Sequence, residues 1–346
     1  MKYTQLPHSQ IKVSKICLGT MTWGKQNSQA DAFEQMNYAL DKGVQFFDTA
    51  ELYPVPAAAE RYAHTEIIIG NWLEKNKKRE EIVLASKIAG KSAFTEFIRK
   101  TGFSKEALNT ALEGSLKRLK TDYLDLYQLH WPERNTNFFG KRGYVHDENE
   151  QWEDNFQAIL ETLKSFVKAG KIRQIGISNE NPWGAMRYLE IHKQDPTFPR
   201  MITCQNPYSL LNRLYETGMA EVSMRENIGL LAYSPLGFGV LSGKYLEGQK
   251  PENARVTLFP NYNRYSVGQN IPATEAYAAI AKQHGLSLTQ MALAYVNTRP
   301  FVTSNIIGAT SMAQLEENIG SIHTLLSEEV LKAIEEVHNT YPNPGP

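Results

Sequence analysis

The chain has 346 residues, with 37 Lys+Arg against 37 Asp+Glu, 42% hydrophobic and 21% charged. That composition supplies a large core and excludes wholesale disorder, while the balanced charge gives no general pull toward nucleic acid or an anionic membrane. Two cysteines, Cys17 and Cys204, are too few for a disulfide framework and lack the paired spacing of a zinc site. They read as small core residues of a reducing compartment. No apolar leader follows MKYTQLPHSQ, and no run approaches the ~18 residues of a membrane span. A cytoplasmic protein without membrane or nucleic-acid partners is expected; oligomeric state is left open.

Lys2–Leu6 and Ile11–Val13 flank PHSQ and predict a hairpin within residues 1–14, plugging the bottom of whatever follows. Strands and helices then alternate. Strand Lys15–Thr20 precedes helix Ala30–Lys42, closed by Gly43; strand Val44–Asp48 precedes helix Glu66–Lys77. Ile82–Lys87 leads to helix Ser104–Leu119, where Ser104 caps without a full capping box. Leu124–His130 leads to Asn155–Ala169, Ile172–Ser178 to Trp183–His192, and Ile202–Asn206 to Leu214–Glu226. Gly229–Ser234 is followed by Thr274–His284 and Thr289–Thr298, and Asn305–Ala309 by Met312–Gly320 and Ser327–Asn339. The strands are nearly continuous apolar runs, as parallel strands covered on both faces require. Eight such units predict an α/β fold, a single (β/α)₈ TIM barrel over residues 1–346; an open doubly wound sheet is the alternative. The Pro/Gly-rich tail, residues 340–346, predicts a frayed end.

Four insertions follow strand ends: Tyr53–His64, Ala89–Phe103, Pro132–Trp152 and Leu236–Pro272. In a barrel, that is the face where active sites are built. Asp48 ends FFDTAELY with Tyr53 five residues on, Lys87 ends IVLASK, and His130 follows the apolar run of LDLYQLHW. Singly, each has an ordinary reading: a turn cap, a packed surface ring, a lysine leaving the core, a satisfied histidine. A barrel aims all four at one spot. Reducing a carbonyl needs a proton donor at its oxygen. A free tyrosine, with a pKa near ~10, exchanges protons poorly near neutrality, so a neighbouring Lys⁺ held charged by a carboxylate is expected to lower it. His130 is placed to orient and polarise the carbonyl.

The set GT…FDTAELY…SK…QLHWP resembles the aldo-keto reductase superfamily over nearly the whole chain, most closely its Tas-like and potassium-channel β-subunit-like branches. The resemblance implies a catalytic tetrad of Asp48, Tyr53, Lys87 and His130 and an NADP(H) cofactor lying across the barrel mouth near Thr20. It implies that Ser178, Asn179 and Gln205 clamp the nicotinamide carboxamide and that Tyr233 stacks on the ring. Ser234, Pro235, Leu236, Gly237, Phe238, Gly239, Val240, Leu241, Ser242, Gly243 and Lys244 then resemble the phosphate loop, whose glycines admit close backbone approach. Their spacing is not the Rossmann fingerprint. Arg255 resembles the basic contact to the adenosine phosphate end. Gly308, Thr310, Gln314, Glu317 and Asn318 match the last cofactor motif, at a strand-to-helix turn suited to an anion. Many members carry a basic residue where Gln314 stands, so preference for NADPH over NADH is only partly supported.

The implied activity is hydride transfer from NADPH to a small aldehyde or ketone. A cofactor-binding regulatory subunit with little turnover is the main alternative. An aldolase using Lys87 as a Schiff-base nucleophile and a metal hydrolase around His130 and Asp48 are weaker ones. Trp23, Tyr62, Trp131, Phe138, Phe139 and Tyr144 in the insertions predict a partly hydrophobic substrate pocket.

Overall fold

A computed structural model describes all residues, 1–346. Two short strands, β1 (Tyr3–Gln5) and β2 (Lys12–Ser14), pair antiparallel as the hairpin. Eight parallel strands then close on themselves: β3 (Ile16–Gly19), β4 (Phe46–Asp48), β5 (Val83–Ile88), β6 (Leu124–Leu129), β7 (Ile172–Ser178), β8 (Met201–Pro207), β9 (Gly229–Tyr233) and β10 (Val302–Ile307), with β10 pairing back to β3. The open-sheet alternative is set aside by that last pairing. The protein is a (β/α)₈ barrel.

The helices cover the outside. They are α1 (Gln29–Asp41), α2 (His64–Asn76), α3 (Lys105–Leu119), α4 (Phe156–Lys168), α5 (Pro182–Gln194), α6 (Met219–Glu226), the single turn α7 (Arg255–Leu258), α8 (Asn270–Gln283), α9 (Leu288–Thr298), α10 (Met312–Gly320) and α11 (Glu328–Thr340). Ser28, Ser104, Ser287, Ser311 and Ser327 each accept a backbone N–H at a helix start. At Gly70 the packing of α2 on α3 is so close that a Cβ would lie 2.0 Å from the Arg118 carbonyl oxygen.

Inside the barrel, Cys17, Phe46, Ala85, Leu126, Ile202, Leu231 and Ile306 form one apolar layer, sealed below by Leu6 and Val13 from the hairpin. Strand side chains alternate, so residues two further along point the same way. Above Phe46 stands Asp48, above Ala85 Lys87, above Leu126 Gln128 and above Leu231 Tyr233. Lys87 pairs level with Gln128 and Ser178 with Gln205, while Asp48 pairs with Ala85, two residues short of Lys87.

Three expectations change. The helix predicted over Leu214–Glu226 breaks at Gly218 into a 3₁₀ turn (Leu214–Thr217) and α6. The last insertion ends earlier than Pro272, because proline is tolerated in the first turn of a helix and α8 begins at Asn270. The tail is not frayed. Gly345 N–H donates to the Leu211 carbonyl at 2.9 Å, Arg213 N–H to Asn343 Oδ1 at 2.6 Å, and Asn270 Nδ2 to the Pro344 carbonyl at 3.0 Å. Its polar backbone finds partners on the barrel mouth, which outweighs the loop-like composition.

Candidate active site

A cleft of about 1530 Å³ opens at the C-terminal ends of the strands. Its floor carries Thr20, Asp48, Tyr53, His130, Ser178, Asn179, Gln205 and Tyr233, one or two from most strand ends. Lys87 lies directly beneath, 0% exposed, with Nζ 2.7 Å from Asp48 Oδ2, 2.7 Å from the Thr49 carbonyl and 3.5 Å from the Tyr53 hydroxyl. The other carboxylate oxygen of Asp48 accepts from Gln205 Nε2 at 2.8 Å and Gln128 Nε2 at 3.3 Å. Asp48 thus spends both oxygens on buried donors, which is what permits an ion pair so far from water.

Burial opposes the charge on Lys87, yet the Asp48 carboxylate and Tyr53 outweigh it, and its pKa is raised. Burial likewise pushes Tyr53 up; Lys87 pulls it back, Asp48 adds to the rise, and the result lies above the ordinary 10.0. This corrects the expectation of a lowered tyrosine: depth in the barrel outweighs the neighbouring ammonium. The hydroxyl therefore keeps its proton through the neutral range. Burial, then Lys87, holds His130 well below 6.5, so its imidazole is neutral. Its ring stands edge-on to Tyr53 at 5.8 Å between centroids, and Nδ1 is buried without a hydrogen-bond partner.

Ser178 Oγ donates to the Gln205 carbonyl (2.7 Å), and Asn179 Nδ2 to the His130 carbonyl (2.9 Å). The Tyr233 hydroxyl donates to Asn179 Oδ1 (2.6 Å). With its amide nitrogen on Asp48, Gln205 has its oxygen left as the free acceptor. Along the cleft run Ser234, Pro235, Leu236, Phe238, Gly239, Ser242 and Lys244. Left-handed φ values at Ser234 (53°), Gly237 (52°), Phe238 (58°), Gly239 (88°) and Gly243 (79°) coil this segment tightly. Gly237, Val240, Leu241 and Gly243 are not on the cleft wall; the Val240 and Leu241 side chains pack in the core instead. At the far end, Gly308, Thr310, Gln314, Glu317 and Asn318 all face the cleft beside the start of α10. Gln314 Oε1 accepts from the Thr310 N–H and hydroxyl at 3.0 and 3.1 Å.

Arg255 also lines the cleft. Its guanidinium stacks on Phe238 at 4.3 Å and meets Met21 Sδ at 3.8 Å, and burial pulls it down to about 10. Of the six aromatic residues predicted for a substrate pocket, only Phe139 lines the cleft, joined by Phe94. Trp23 is core, its Nε1 donating to Gln35, and Tyr144 points to solvent.

Two features escape sequence reasoning. Glu51, 1% exposed, accepts from Tyr62 (2.9 Å), from the Ala89 N–H (3.0 Å) and from Arg99 twice (2.7 and 2.5 Å), tying the Tyr53 turn to the loop after Lys87. Arg264 lines the cleft with no acidic partner. An acid two residues before the tyrosine in DTAELY was the only available sign of the first.

Eight strands, a buried Lys–Asp pair and a tyrosine at one mouth define a class of barrel oxidoreductases. Residues 15–339 match the profile of the Aldo/keto reductase family. The chain is 51% identical to the "Protein tas" of Escherichia coli (strain K12), all of both chains being covered. It is 32% identical to the "Uncharacterized oxidoreductase YrpG" of Bacillus subtilis (strain 168), with 100% of this chain and 97% of that one covered. A "Probable voltage-gated potassium channel subunit beta" of Oryza sativa subsp. japonica is 29% identical over 99% of this chain and 98% of its own. The chain belongs to the aldo/keto reductase family, on its Tas-like side.

Proposed function

We propose that this oxidoreductase is NADP(H)-dependent and reduces an aldehyde or ketone, with Tyr53 as the proton donor. One observation carries the reading: a charged Lys87, neutralised by Asp48, sits 3.5 Å beneath a protonated tyrosine that opens onto the cleft. The cleft fits a dinucleotide. Its volume of about 1530 Å³ exceeds the ~300–1,000 Å³ of drug-sized sites, and Lys244 and Arg255 wait on its wall without acidic partners.

When bound, the reduced nicotinamide supplies a hydride. Gln205, Ser178 and Asn179 would hold its carboxamide, Tyr233 its ring, the Ser234–Lys244 loop and Arg255 its phosphates, and Gly308, Thr310, Gln314, Glu317 and Asn318 the adenosine end. Neutral His130 directs an N–H at the carbonyl oxygen, and Tyr53 releases its proton there as charge develops. Lys87 stabilises the tyrosinate left behind, and Asp48 keeps Lys87 charged. Tyr53→Phe is expected to lower turnover of a panel of aldehydes by about 10²–10⁴-fold while NADPH affinity, measured by fluorescence titration, stays close to that of the parent. Full activity in that variant would end the assignment. Titration with NADPH against NADH tests the 2′-phosphate preference, for which Gln314 offers no charge.

A further inference from the structure

The cleft carries more positive charge than a dinucleotide site uses. Lys244, Arg255, Arg264 and Arg142 line it; none of them pairs with an Asp or Glu side chain, and Arg142 donates to the Asn343 and Pro344 carbonyls at 2.8 and 3.1 Å. Of the acidic residues on its wall, Asp48 is held by Lys87, and Glu317 accepts from Ser287 Oγ at 2.5 Å. Lys244 and Arg255 are assigned to the cofactor's phosphates, and Arg142 is taken up by the tail carbonyls. Arg264 is left over.

Its position is at the reactive end. Arg264 Nε lies 3.1 Å from where a Cβ on Gly140 would stand, and the Pro346 main-chain oxygen 3.4 Å from the same point. The neighbouring Phe139 ring packs on Trp131 at 5.6 Å, and Trp131 on His130 at 4.9 Å. On its other side the guanidinium lies over the Tyr265 ring at 5.7 Å and the Phe238 ring at 6.0 Å. The Tyr233 hydroxyl leads through Asn179 to the His130 carbonyl, and the Tyr265 hydroxyl is buried with no partner. Arg264 thus stands beside the Phe139–Gly140 segment, whose aromatic ring packs through Trp131 to His130. A half-buried guanidinium presents parallel N–H groups matched to the oxygens of a carboxylate or phosphate, and leaving it without an anion forfeits that interaction.

We propose that the carbonyl substrate carries an anionic oxyacid group and that Arg264 binds it, making this residue a determinant of substrate choice. This rests on the reductase reading, so the test includes a readout independent of turnover. With the full chain and saturating NADPH, kcat/KM for 4-carboxybenzaldehyde is expected to exceed that for the neutral 4-formylbenzamide by about ten-fold or more. Arg264→Met should bring the ratio close to one and Arg264→Lys should keep part of it; the lysine variant also covers a failure of the methionine variant to fold. A third arm with 4-formylphenyl phosphate shows whether carboxylate or phosphate gains more from Arg264. In parallel, calorimetry on protein saturated with NADP⁺ should find benzoate bound about ten-fold tighter than benzamide, and that difference lost in Arg264→Met.

A ratio near one in the parent protein, or one unchanged by both substitutions, overturns the proposal. So does a loss of NADPH affinity in Arg264→Met as large as the loss of benzoate affinity, which would put Arg264 in the cofactor site. If no aldehyde is reduced but benzoate binding depends on Arg264, the anion site stands and the reductase reading falls. If all the aldehydes are reduced equally well, the reverse holds.

Discussion

Tyr53 and Lys87 are argued to act on a single oxygen, and a double-mutant cycle tests that directly. Tyr53→Phe removes the donor, a loss of about 10²–10⁴ in kcat, equal to roughly 3–5.5 kcal/mol of transition-state stabilisation at ~1.36 kcal/mol per decade. Lys87→Met removes a fully buried ammonium 3.5 Å from the hydroxyl. Its effect on kcat should be comparable, since the tyrosinate then forms without a counter-charge. It also strands Asp48, which keeps Gln205 at 2.8 Å and Gln128 at 3.3 Å; breaking a buried pair this way costs about 3–5 kcal/mol of stability. Thermal unfolding must therefore confirm that the variant is folded at the assay temperature. Once the phenol is gone, the lysine has nothing left to stabilise, so the double variant should be little slower than Tyr53→Phe alone. The coupling should approach the smaller of the two single losses. The assay is the kcat for an aromatic aldehyde at saturating NADPH, followed by cofactor absorbance. Losses that simply multiply would mean the two groups act independently, and the proton-donor assignment to Tyr53 would fail with them.

The pH profile should be flat across neutrality. Burial holds His130 well below 6.5 and Tyr53 above 10.0, so neither changes protonation between those values; reduction should decline only above 10.0, where Tyr53 loses its proton, while alcohol oxidation, which uses the tyrosinate as base, rises on that limb. A bell centred near neutrality would contradict the assignment. Arg99→Met takes both guanidinium bonds from the 1%-exposed Glu51 carboxylate, and chemical denaturation should register a loss of about 3 kcal/mol or more; an unchanged midpoint would show that Glu51 relaxes onto Tyr62 and Ala89 alone. Gly70→Ala drives a Cβ to 2.0 Å from the Arg118 carbonyl, backbone against backbone, and should cost about 1–3 kcal/mol by the same measurement. A neutral result would disprove the α2–α3 contact.

The barrel was legible because its signals are local. Apolar runs of strand length, each followed by a helical pattern, appear along the whole chain; boundaries moved by a few residues, as where Gly218 and Pro272 act and at the last strand, which spans Val302–Ile307 rather than Asn305–Ala309. Asp48, Lys87 and His130 could be picked out because strand alternation carries a core residue such as Phe46 or Ala85 to a functional one two positions on. What sequence spacing withheld was depth and pairing. The direction of the Tyr53 shift depends on how far burial exceeds the effect of Lys87, which no motif encodes. Glu51 matters through Arg99, and Arg264 through Gly140 and Phe238, contacts made between separate loops. The tail looked unstructured because its partners, Leu211, Arg213 and Asn270, lie far away in the chain.

The burial of the Lys87–Asp48 pair separates two kinds of electrostatics in one cleft. Mobile ions cannot enter between those charges, so dissolved salt leaves their attraction almost untouched, whereas a guanidinium at the open rim works through a Debye length of ~8–10 Å at ordinary ionic strength. Raising the salt concentration should therefore weaken the hold on charged ligands while the proton-transfer step keeps its rate. The same enzyme would then behave as salt-sensitive or salt-indifferent according to what it is given to reduce.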